Sequence, residues 1–305
     1  MKTAFIFSGQ GAQYPGMFKD LYEREACVRE VFQCADDVLG RSITRLCFAG
    51  SQEELNLTHN TQPCVLAADL AAGAILKKHG IMPDCVAGFS LGEYAALVSA
   101  GVLNMSQAFE IVQQRADAMQ AAVPIGKGTM AAVIGTEPAN VEALCASITE
   151  YYVAPANYNS PLQTVIAGTA EGIDAAMRAA EEKGMRAMRL AVSVPSHCKL
   201  MESVAEILKN VLKNYKLSAP VLPIYMNAIG REVSEGIAEL LVEQVVRPVR
   251  WTDTICGMRA AGVNTLIECG PGRTLTGLAK KTVSDVMLCR AENVQTLNKT
   301  LEMLV

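Results

Sequence analysis

The segment Val86-Ala87-Gly88-Phe89-Ser90-Leu91-Gly92 places a serine between two glycines, directly after an apolar stretch. Residues that favour a helix follow, which gives the strand-turn-helix context of a nucleophile elbow. In such a turn the serine backbone is strained and neighbouring chains come close, so glycine is needed where a Cβ atom would not fit. The motif predicts that Ser90 is a nucleophile. The alternative is a tight turn without catalytic function.

A serine hydroxyl needs a base within reach, and the chain contains only 3 histidines. His79 ends a predicted helix, where a favourable charge or a carbonyl partner explains it. His59 lies in a polar loop that we interpret as solvated surface. His197, in Val194-Pro195-Ser196-His197-Cys198, is therefore the candidate base, with a capping or core histidine as the alternative. No Asp or Glu is an evident third member, but a backbone carbonyl can orient an imidazole by accepting its N–H.

Arg115 lies on the apolar stripe of a predicted helix that starts at Asn104, with Gln107 completing a capping-box pattern. A guanidinium on an apolar face is unfavourable unless it meets a carboxylate, because it cannot shed its charge. One interpretation is an ion pair with an acidic side chain of the same chain. The other is that Arg115 binds the free carboxylate of an acyl substrate near a Ser-His pair.

Length and composition define the frame in which these residues must meet. The chain has 305 residues, of which 50% are hydrophobic and 19% charged, so it can bury a large core. The net charge of -4 argues against a nucleic-acid binder, and no apolar run is long enough to span a membrane. The start, MKTAFIFSGQG, is interpreted as a strand rather than a signal peptide. The 10 scattered cysteines form no CxxC pair, which predicts free thiols in the cytoplasm and no metal site.

The predicted elements form an α/β domain with an insertion. Between residues 126 and 192 the order is βαββαβ, with a turn at Asn157 to Pro161, which is typical of a ferredoxin-like subdomain. Residues 1–125 and 193–305 are predicted to form the α/β core around it. The core segments are strands at Thr3 to Phe7, Val86-Ala87, Ile224 to Met226 and Leu266-Ile267, a helix beginning at Thr61-Gln62-Pro63, and a last helix after Gly270-Pro271-Gly272.

Seven motifs occur in the order found in malonyl-CoA:acyl carrier protein transacylases, and the chain resembles this family over essentially its whole length. The motifs are Ser8-Gly9-Gln10-Gly11-Ala12-Gln13, Thr61-Gln62-Pro63, Gly88-Phe89-Ser90-Leu91-Gly92-Glu93, Arg115, Asn157-Tyr158-Asn159-Ser160-Pro161, Val194-Pro195-Ser196-His197 and Gly270-Pro271-Gly272. GxSxG alone is shared with many hydrolases, whereas the set is specific. The resemblance implies an α/β-hydrolase-like core with an inserted ferredoxin-like (βαββαβ) subdomain.

The resemblance also implies roles for single residues. Ser90 is the expected nucleophile and His197 its base. The backbone amides of Gln10 and Leu91 are expected to form the oxyanion hole. Arg115 is expected to bind the malonyl carboxylate.

Three further residues, Gln62, Asn159 and Arg250, are expected at the substrate. A main-chain carbonyl near Arg250 is expected to orient the histidine. The family usually has His at the position of Phe89, Pro at that of Ser8 and Gln at that of Arg250. The resemblance therefore implies an additional cation near the site at Arg250.

The implied activity is transfer of a malonyl group from malonyl-CoA to the phosphopantetheine thiol of acyl carrier protein, supplying fatty acid synthesis. No metal or cofactor is expected besides malonyl-CoA as substrate, and a cytoplasmic monomer without nucleic-acid or membrane partners is expected. A cationic rim for the acidic carrier protein is expected at Lys183, Arg186, Arg189 and Lys199, with an ordinary solvated face as the alternative for each of them. Three alternatives stay open: a hydrolase that clears acyl groups from carrier proteins, a catalytically silent carrier-binding subunit, and a malonyltransferase of a polyketide assembly line.

Overall fold

The computed structural model describes residues 1–124, 126–192 and 194–304 and shows a mixed α/β fold. The sequence-based domain boundaries at Ile125, Ser193 and Val305 fall outside the described residues. Ten strands are present in the described part: β1 (Thr3–Phe7), β2 (Cys85–Gly88), β3 (Gly128–Ile134), β4 (Val153–Ser160), β5 (Gln163–Thr169), β6 (Arg186–Arg189), β7 (Ile224–Met226), β8 (Arg231–Val233), β9 (Thr265–Cys269) and β10 (Met287–Ala291).

The helices of the described part connect these strands. They are α1 (Lys19–Arg24), α2 (Ala26–Leu39), α3 (Ile43–Ala49), α4 (Gln52–Asn56), α5 (Thr58–Lys78), α6 (Glu93–Ser99), α7 (Met105–Ala122), α8 (Pro138–Ser147), α9 (Ala170–Glu182), α10 (Glu202–Leu212), α11 (Ile237–Gln244), α12 (Trp251–Ala260), α13 (Thr274–Thr282) and α14 (Val294–Leu304). Short 3-10 turns at Ser90–Gly92 and Lys199–Met201 precede α6 and α10. None of these helices is long and apolar enough to cross a membrane.

The larger sheet has the order β10-β9-β1-β2-β7-β8 and is parallel except for β8. Its central strand β1 is buried along its whole length, as expected for a parallel strand covered by helices on both faces. In the register, Phe7 pairs with Gly88 on one side and with Cys269 on the other. The loops after β1, β2 and β9 therefore leave the sheet at the same edge, where parallel sheets place their ligand sites.

The smaller sheet has the order β4-β5-β3-β6 and is antiparallel. Along β3, Ala131 and Val133 pack with residues of α8 and α9, because alternate side chains of a strand point to opposite faces. Met130 and Ala132 point the other way and pack with Cys198 of the larger part. One face of this sheet therefore packs against α8 and α9, and the opposite face packs against the larger part.

The helix predicted to begin at Thr61 begins one turn earlier, at Thr58, so His59 is helical rather than part of a polar loop. Pro63 lies inside this helix and has no N–H to donate to the carbonyl oxygen of His59. Arg41 supplies a donor instead, with its Nη2 2.7 Å from that oxygen. A side chain distant in sequence therefore makes the proline tolerable.

Two other predictions of elements were incomplete. Strand β4 runs through Ser160, so most of the predicted turn at Asn157 to Pro161 is strand. Asn157 also forms a parallel bridge with Val249, which extends the pairing beyond the hairpin. The helix after Gly272 is not the last element, because β10 and α14 follow it.

Candidate active site

Ser90 lies in the sharp turn between β2 and α6, and its φ of 54° is in the left-handed region. A Cβ atom on Gly88 would lie 1.8 Å from the carbonyl carbon of Gly92, and one on Gly92 would lie 2.4 Å from the carbonyl oxygen of Phe7. Both positions therefore require glycine for space. The sequence-based argument for the two glycines is confirmed.

The serine hydroxyl meets an imidazole from much later in the chain. Ser90 Oγ lies 2.8 Å from His197 Nε2, and His197 Nδ1 lies 2.7 Å from the carbonyl oxygen of Gln244. A carbonyl only accepts, so Nδ1 carries the proton and Nε2 is free to accept from the hydroxyl. Burial lowers the pKa of His197 to about 4, with a smaller contribution in the same direction from Arg115. The imidazole is therefore neutral at pH 7, as a general base must be.

Arg115 is 1% exposed and points at the same serine. Its guanidinium donates to Gln62 Oε1 at 2.7 Å and to Gln244 Oε1 at 2.9 Å, and its Nη2 lies 3.4 Å from Ser90 Oγ. Its Nε has no hydrogen-bond partner among the residues that the structure describes. Within the described residues no carboxylate forms an ion pair with Arg115. The interpretation as a structural ion pair is therefore wrong, and burial lowers the pKa of this guanidinium without a compensating anion in contact.

Two backbone segments approach the reacting oxygen. The amide of Ser90 itself is used, because it donates to Asn227 Oδ1 at 2.6 Å. The next amide, that of Leu91, lies at the start of the helical turn, where backbone N–H groups have no intrahelical acceptor. The turn containing Gln10 lies against the elbow, since a Cβ atom on Gly9 would be 2.6 Å from the carbonyl oxygen of Phe89. The fold thus brings both predicted oxyanion-hole segments to one place.

A network of buried polar groups stabilises the turn at Ser90. Asn227 donates through Nδ2 to the carbonyl oxygen of Gly88 at 2.7 Å, so its side chain links both sides of the strained Ser90 backbone. Gln244 Nε2 donates to the carbonyl oxygen of Ser90 at 2.8 Å and also to Glu93. Glu93 accepts in addition from the backbone amide of Asn227. Burial raises the pKa of Glu93 to about 8, whereas these donors and Arg115 act in the opposite direction.

Ser90, His197 and Arg115 line a cavity of about 360 Å³ between the two sheets. The smaller sheet contributes polar side chains to its wall, among them Asn157, Asn159 and Gln163. Asn159 Oδ1 and Gln163 Oε1 are buried, and no described residue forms a hydrogen bond with either atom. In the described part of the chain no group of His, Cys, Asp and Glu residues could hold a metal ion.

Comparison with known proteins identifies the family. The family described as "Acyl transferase domain" matches residues 4–301. The malonyl CoA-acyl carrier protein transacylase of Bacillus subtilis strain 168 is 42% identical over 285 residues, which are 92% of this chain and 90% of the relative. That of Escherichia coli strain K12 is 42% identical over 295 residues, 95% of each chain. The chain belongs to the malonyl CoA-acyl carrier protein transacylase family.

Solved structures agree with the assignment of this acyltransferase. A malonyl-transacylase solved in complex with a type II polyketide synthase acyl carrier protein superimposes with a TM-score of 0.96 at 40% identity, covering 99% of this chain and 100% of the other. The malonyl CoA-acyl carrier protein transacylase of Clostridium perfringens gives a TM-score of 0.96 at 36% identity, covering 100% and 97%.

The structure brings most of the predicted site residues of the acyltransferase together. Ser90, His197, Arg115, Gln10 and Asn159 line one cavity. Gln62 does not line it: its side chain is completely buried and reaches the site only through Arg115.

The prediction for Arg250 was wrong in two respects. The carbonyl that accepts from His197 belongs to Gln244, six residues earlier. The Arg250 side chain does not line the cavity. It is about half exposed, pairs with Asp253 at 3.2 Å and lies over the ring of Tyr158. The physical reason is that Arg250 precedes α12 on the outer side, whereas Gln244 ends α11 beneath the elbow.

The other two departures from the family are accommodated by packing. Phe89 packs edge-on against Trp251, with ring centroids 5.3 Å apart. Ser8 is buried and donates its hydroxyl to the carbonyl oxygen of Pro271 at 3.1 Å.

The sequence-based interpretation missed three residues that hold the site together, Gln244, Asn227 and Glu93. Asn227 follows β7 at the carboxyl edge of the parallel sheet, and a polar residue at that place is a usable signal. Gln244 is a polar residue at the end of an apolar helix and is 1% exposed. Glu93 belongs to the quoted motif but was not given a role.

Proposed function

We propose that this acyltransferase moves a malonyl group from malonyl-CoA to the phosphopantetheine thiol of an acyl carrier protein, through an ester on Ser90. The observation that carries the proposal is a buried, charged Arg115 beside the Ser90–His197 pair, without a carboxylate partner in the described part of the chain. A buried cation of this kind is unfavourable unless an anion arrives to pair with it. The free carboxylate of a malonyl group supplies that anion at a fixed distance from the thioester carbon.

In the first half of the reaction, Ser90 Oγ attacks the thioester carbonyl while His197 Nε2 takes the hydroxyl proton. The Gln244 carbonyl stabilises the imidazolium that forms, because it accepts from Nδ1–H. The backbone amides of Gln10 and Leu91 donate to the developing oxyanion, a contribution that is typically about 3 kcal/mol for one donor. When the tetrahedral intermediate collapses, the C–S bond breaks and His197 returns the proton to the coenzyme A thiolate.

In the second half, the carrier's phosphopantetheine thiol enters in place of coenzyme A. His197 takes the thiol proton, sulfur attacks the Ser90 ester, and the serine oxygen leaves with that proton. A hydrolase would use water at the same step and release free malonate. Transfer requires that the thiol reach the ester before water does.

The finer architecture is part of the proposal. We assign an α/β-hydrolase-like core to residues 1–125 and 193–305 and a ferredoxin-like subdomain to residues 126–192. The order of β3, α8, β4, β5, α9 and β6 supports the second assignment, since it is βαββαβ. The enzyme is proposed to act as a cytoplasmic monomer in fatty acid synthesis, without a metal or a cofactor. All ten cysteines are free thiols, which suits a reducing compartment.

The test is the intact mass of the protein after mixing with malonyl-CoA and, separately, with acetyl-CoA. The unmodified protein is expected to gain one malonyl group and Ser90→Ala none. Arg115→Met is expected to lose malonyl labelling about a hundredfold while acetyl labelling persists, because removing one partner of a buried charge pair is strongly unfavourable. Arg45→Met is the matched control, since its side chain is 61% exposed and paired only with Glu54.

Malonyl labelling of Ser90→Ala would reject the nucleophile, and equal labelling by the two thioesters would reject the role of Arg115. Free malonate without any thiol acceptor would favour the hydrolase. No adduct at all would favour a silent carrier-binding subunit. Competition between a fatty acid carrier protein and a polyketide carrier protein for the labelled enzyme distinguishes the two pathways.

A further inference from the structure

Among the described residues, Gln244 is the one that hydrogen-bonds with His197, with Arg115 and with the Ser90 backbone. Its backbone carbonyl accepts from His197, its Nε2 donates to the Ser90 carbonyl oxygen, and its Oε1 accepts from Arg115. It lies at the end of α11 and is 1% exposed, so water cannot replace any of these bonds. The orientation of the side-chain amide therefore affects the cation and the Ser90 backbone, and the same residue carries the carbonyl that accepts from the base.

Glu93 determines that orientation. Gln244 Nε2 lies between two acceptors, the Ser90 carbonyl oxygen and a carboxyl oxygen of Glu93. The other carboxyl oxygen of Glu93 accepts from the backbone amide of Asn227, which fixes the carboxyl group in place. A reversed amide would turn Oε1 towards two acceptors and the NH₂ group towards a guanidinium, so every contact would be unfavourable.

The same arrangement keeps the nearest carboxyl group away from Arg115. Glu93 is completely buried, yet it forms no ion pair with that guanidinium. The Gln244 side chain stands between them, accepting from Arg115 with one end and donating to Glu93 with the other. The amide acceptors of Arg115, from Gln62 and Gln244, are neutral. A direct Glu93–Arg115 pair would compete with the carboxylate of a substrate.

We propose that Glu93 is a positioning residue for acyl specificity: through Gln244 it fixes the acceptor of His197 and leaves the charge of Arg115 available for a substrate carboxylate. This inference rests on the proposed malonyl transfer. Glu93 itself touches neither the substrate nor the reacting atoms.

The first test variant is Glu93→Gln. Each carboxyl oxygen of Glu93 accepts one hydrogen bond, whereas a glutamine has one acceptor and one donor, so it satisfies the Asn227 amide and then faces the Gln244 NH₂ group with its own. We expect malonylation of Ser90 to slow by about tenfold to a hundredfold, the loss typical of a buried donor left without an acceptor. Acetylation is expected to slow less, so that the ratio of malonyl to acetyl rates falls. Glu239→Gln, an exposed change on the same helix as Gln244, is the control and should leave both rates unchanged.

The second variant is the exchange Glu93→Gln with Gln244→Glu, which keeps the net charge and restores a donor–acceptor pair between the two side chains. It now places the carboxylate against Arg115. Positioning predicts a malonyl-to-acetyl ratio at or below that of Glu93→Gln, whereas a purely structural role predicts its recovery. The exchange also serves if the single variant does not fold, because it restores the hydrogen bond between residues 93 and 244, although the Ser90 carbonyl oxygen loses the donor that Gln244 provides.

An unchanged ratio in Glu93→Gln, or a ratio restored by the exchange, overturns the proposal. Failure of the unmodified protein to take up malonyl would instead overturn the proposed function, so the two failures are distinguishable. Thermal unfolding of each variant is measured together with its malonylation and acetylation rates.

Discussion

The two walls of the cavity treat their polar groups in opposite ways. On the wall formed by the larger part, Ser90 and His197 have partners, the residues Gln244 and Glu93 behind them have partners too, and the amide of Ser90 is bound by Asn227. On the wall formed by the smaller sheet, Asn159 Oδ1 and Gln163 Oε1 are buried without a partner among the described residues. Buried polar atoms in folded proteins nearly always have partners, so each exception needs an explanation.

The groups that have partners are already fixed for the reaction, whereas the acceptors without partners are available to a ligand. Groups that stabilise a transition state act best when they are already fixed before the substrate arrives. Acceptors without a partner instead fit the N–H groups of an incoming molecule. Arg115 stands between the two cases, because its Nη atoms are fixed while its Nε is free. Variants of each wall should therefore fail in different kinetic parameters.

The largest effect is expected from the chemical wall. His197→Ala removes the base, and the rate of Ser90 acylation should fall by about a thousandfold, within the range of general base catalysis. The Michaelis constant for malonyl-CoA should change little, because His197 takes a proton rather than holding the acyl group. His79→Ala, at the exposed end of α5, is the control. A large rise in the Michaelis constant with little loss of rate would mean that His197 binds the substrate rather than acting as the base.

A second prediction concerns the pH dependence of acylation. An ordinary imidazole with a pKa of 6.5 would be about 97% protonated at pH 5. Burial lowers the pKa of His197 to about 4, so the base should stay active at pH 5 and lose activity only near pH 4. The free energy of unfolding also falls as the pH falls from 6.5 towards 4, because the unfolded chain binds this proton at a higher pH than the folded protein does. The pH dependence of the acylation rate is measured by stopped flow between pH 4 and 8, and a midpoint near pH 6.5 would contradict the prediction.

The site residues that the sequence predicts also differ in kind from those that it does not predict. Residues that act through a side chain in a motif, such as Ser90 and His197, could be assigned because each needs a defined chemical type at a defined place. The glycines around Ser90 could be explained for the same reason, since the steric demand is local. The capping box at Asn104 and Gln107 is likewise confirmed in the structure.

The supporting residues could not be found in this way. Gln244 and Asn227 reach Ser90 across 154 and 137 residues, and no local pattern encodes either contact. The acceptor for His197 is a backbone carbonyl, which every residue carries, so no residue type pointed to Gln244, and the resemblance placed the acceptor near Arg250 instead. Strand β4 was shortened because Asn, Ser and Pro favour turns in isolation, whereas pairing with β5 and Val249 holds Asn157 and Tyr158 in the strand.

The smallest effect is expected from the binding wall. Asn159→Ala removes an acceptor that has no partner within the described ranges, so the free protein should lose little stability and can be compared directly with the unmodified one. If a substrate N–H group fills that position, the Michaelis constant for malonyl-CoA should rise by about fivefold, the effect of one neutral hydrogen bond, while the rate at saturation stays the same.

Asn140→Ala, an exposed change on α8 of the same subdomain, is the control for this variant. Gln163→Ala should act like Asn159→Ala, and the two effects together show whether one ligand group or two are bound. A fall in the saturated rate without a change in the Michaelis constant would mean that the smaller sheet takes part in the chemistry. The two walls would then not differ in the way that their hydrogen bonds indicate.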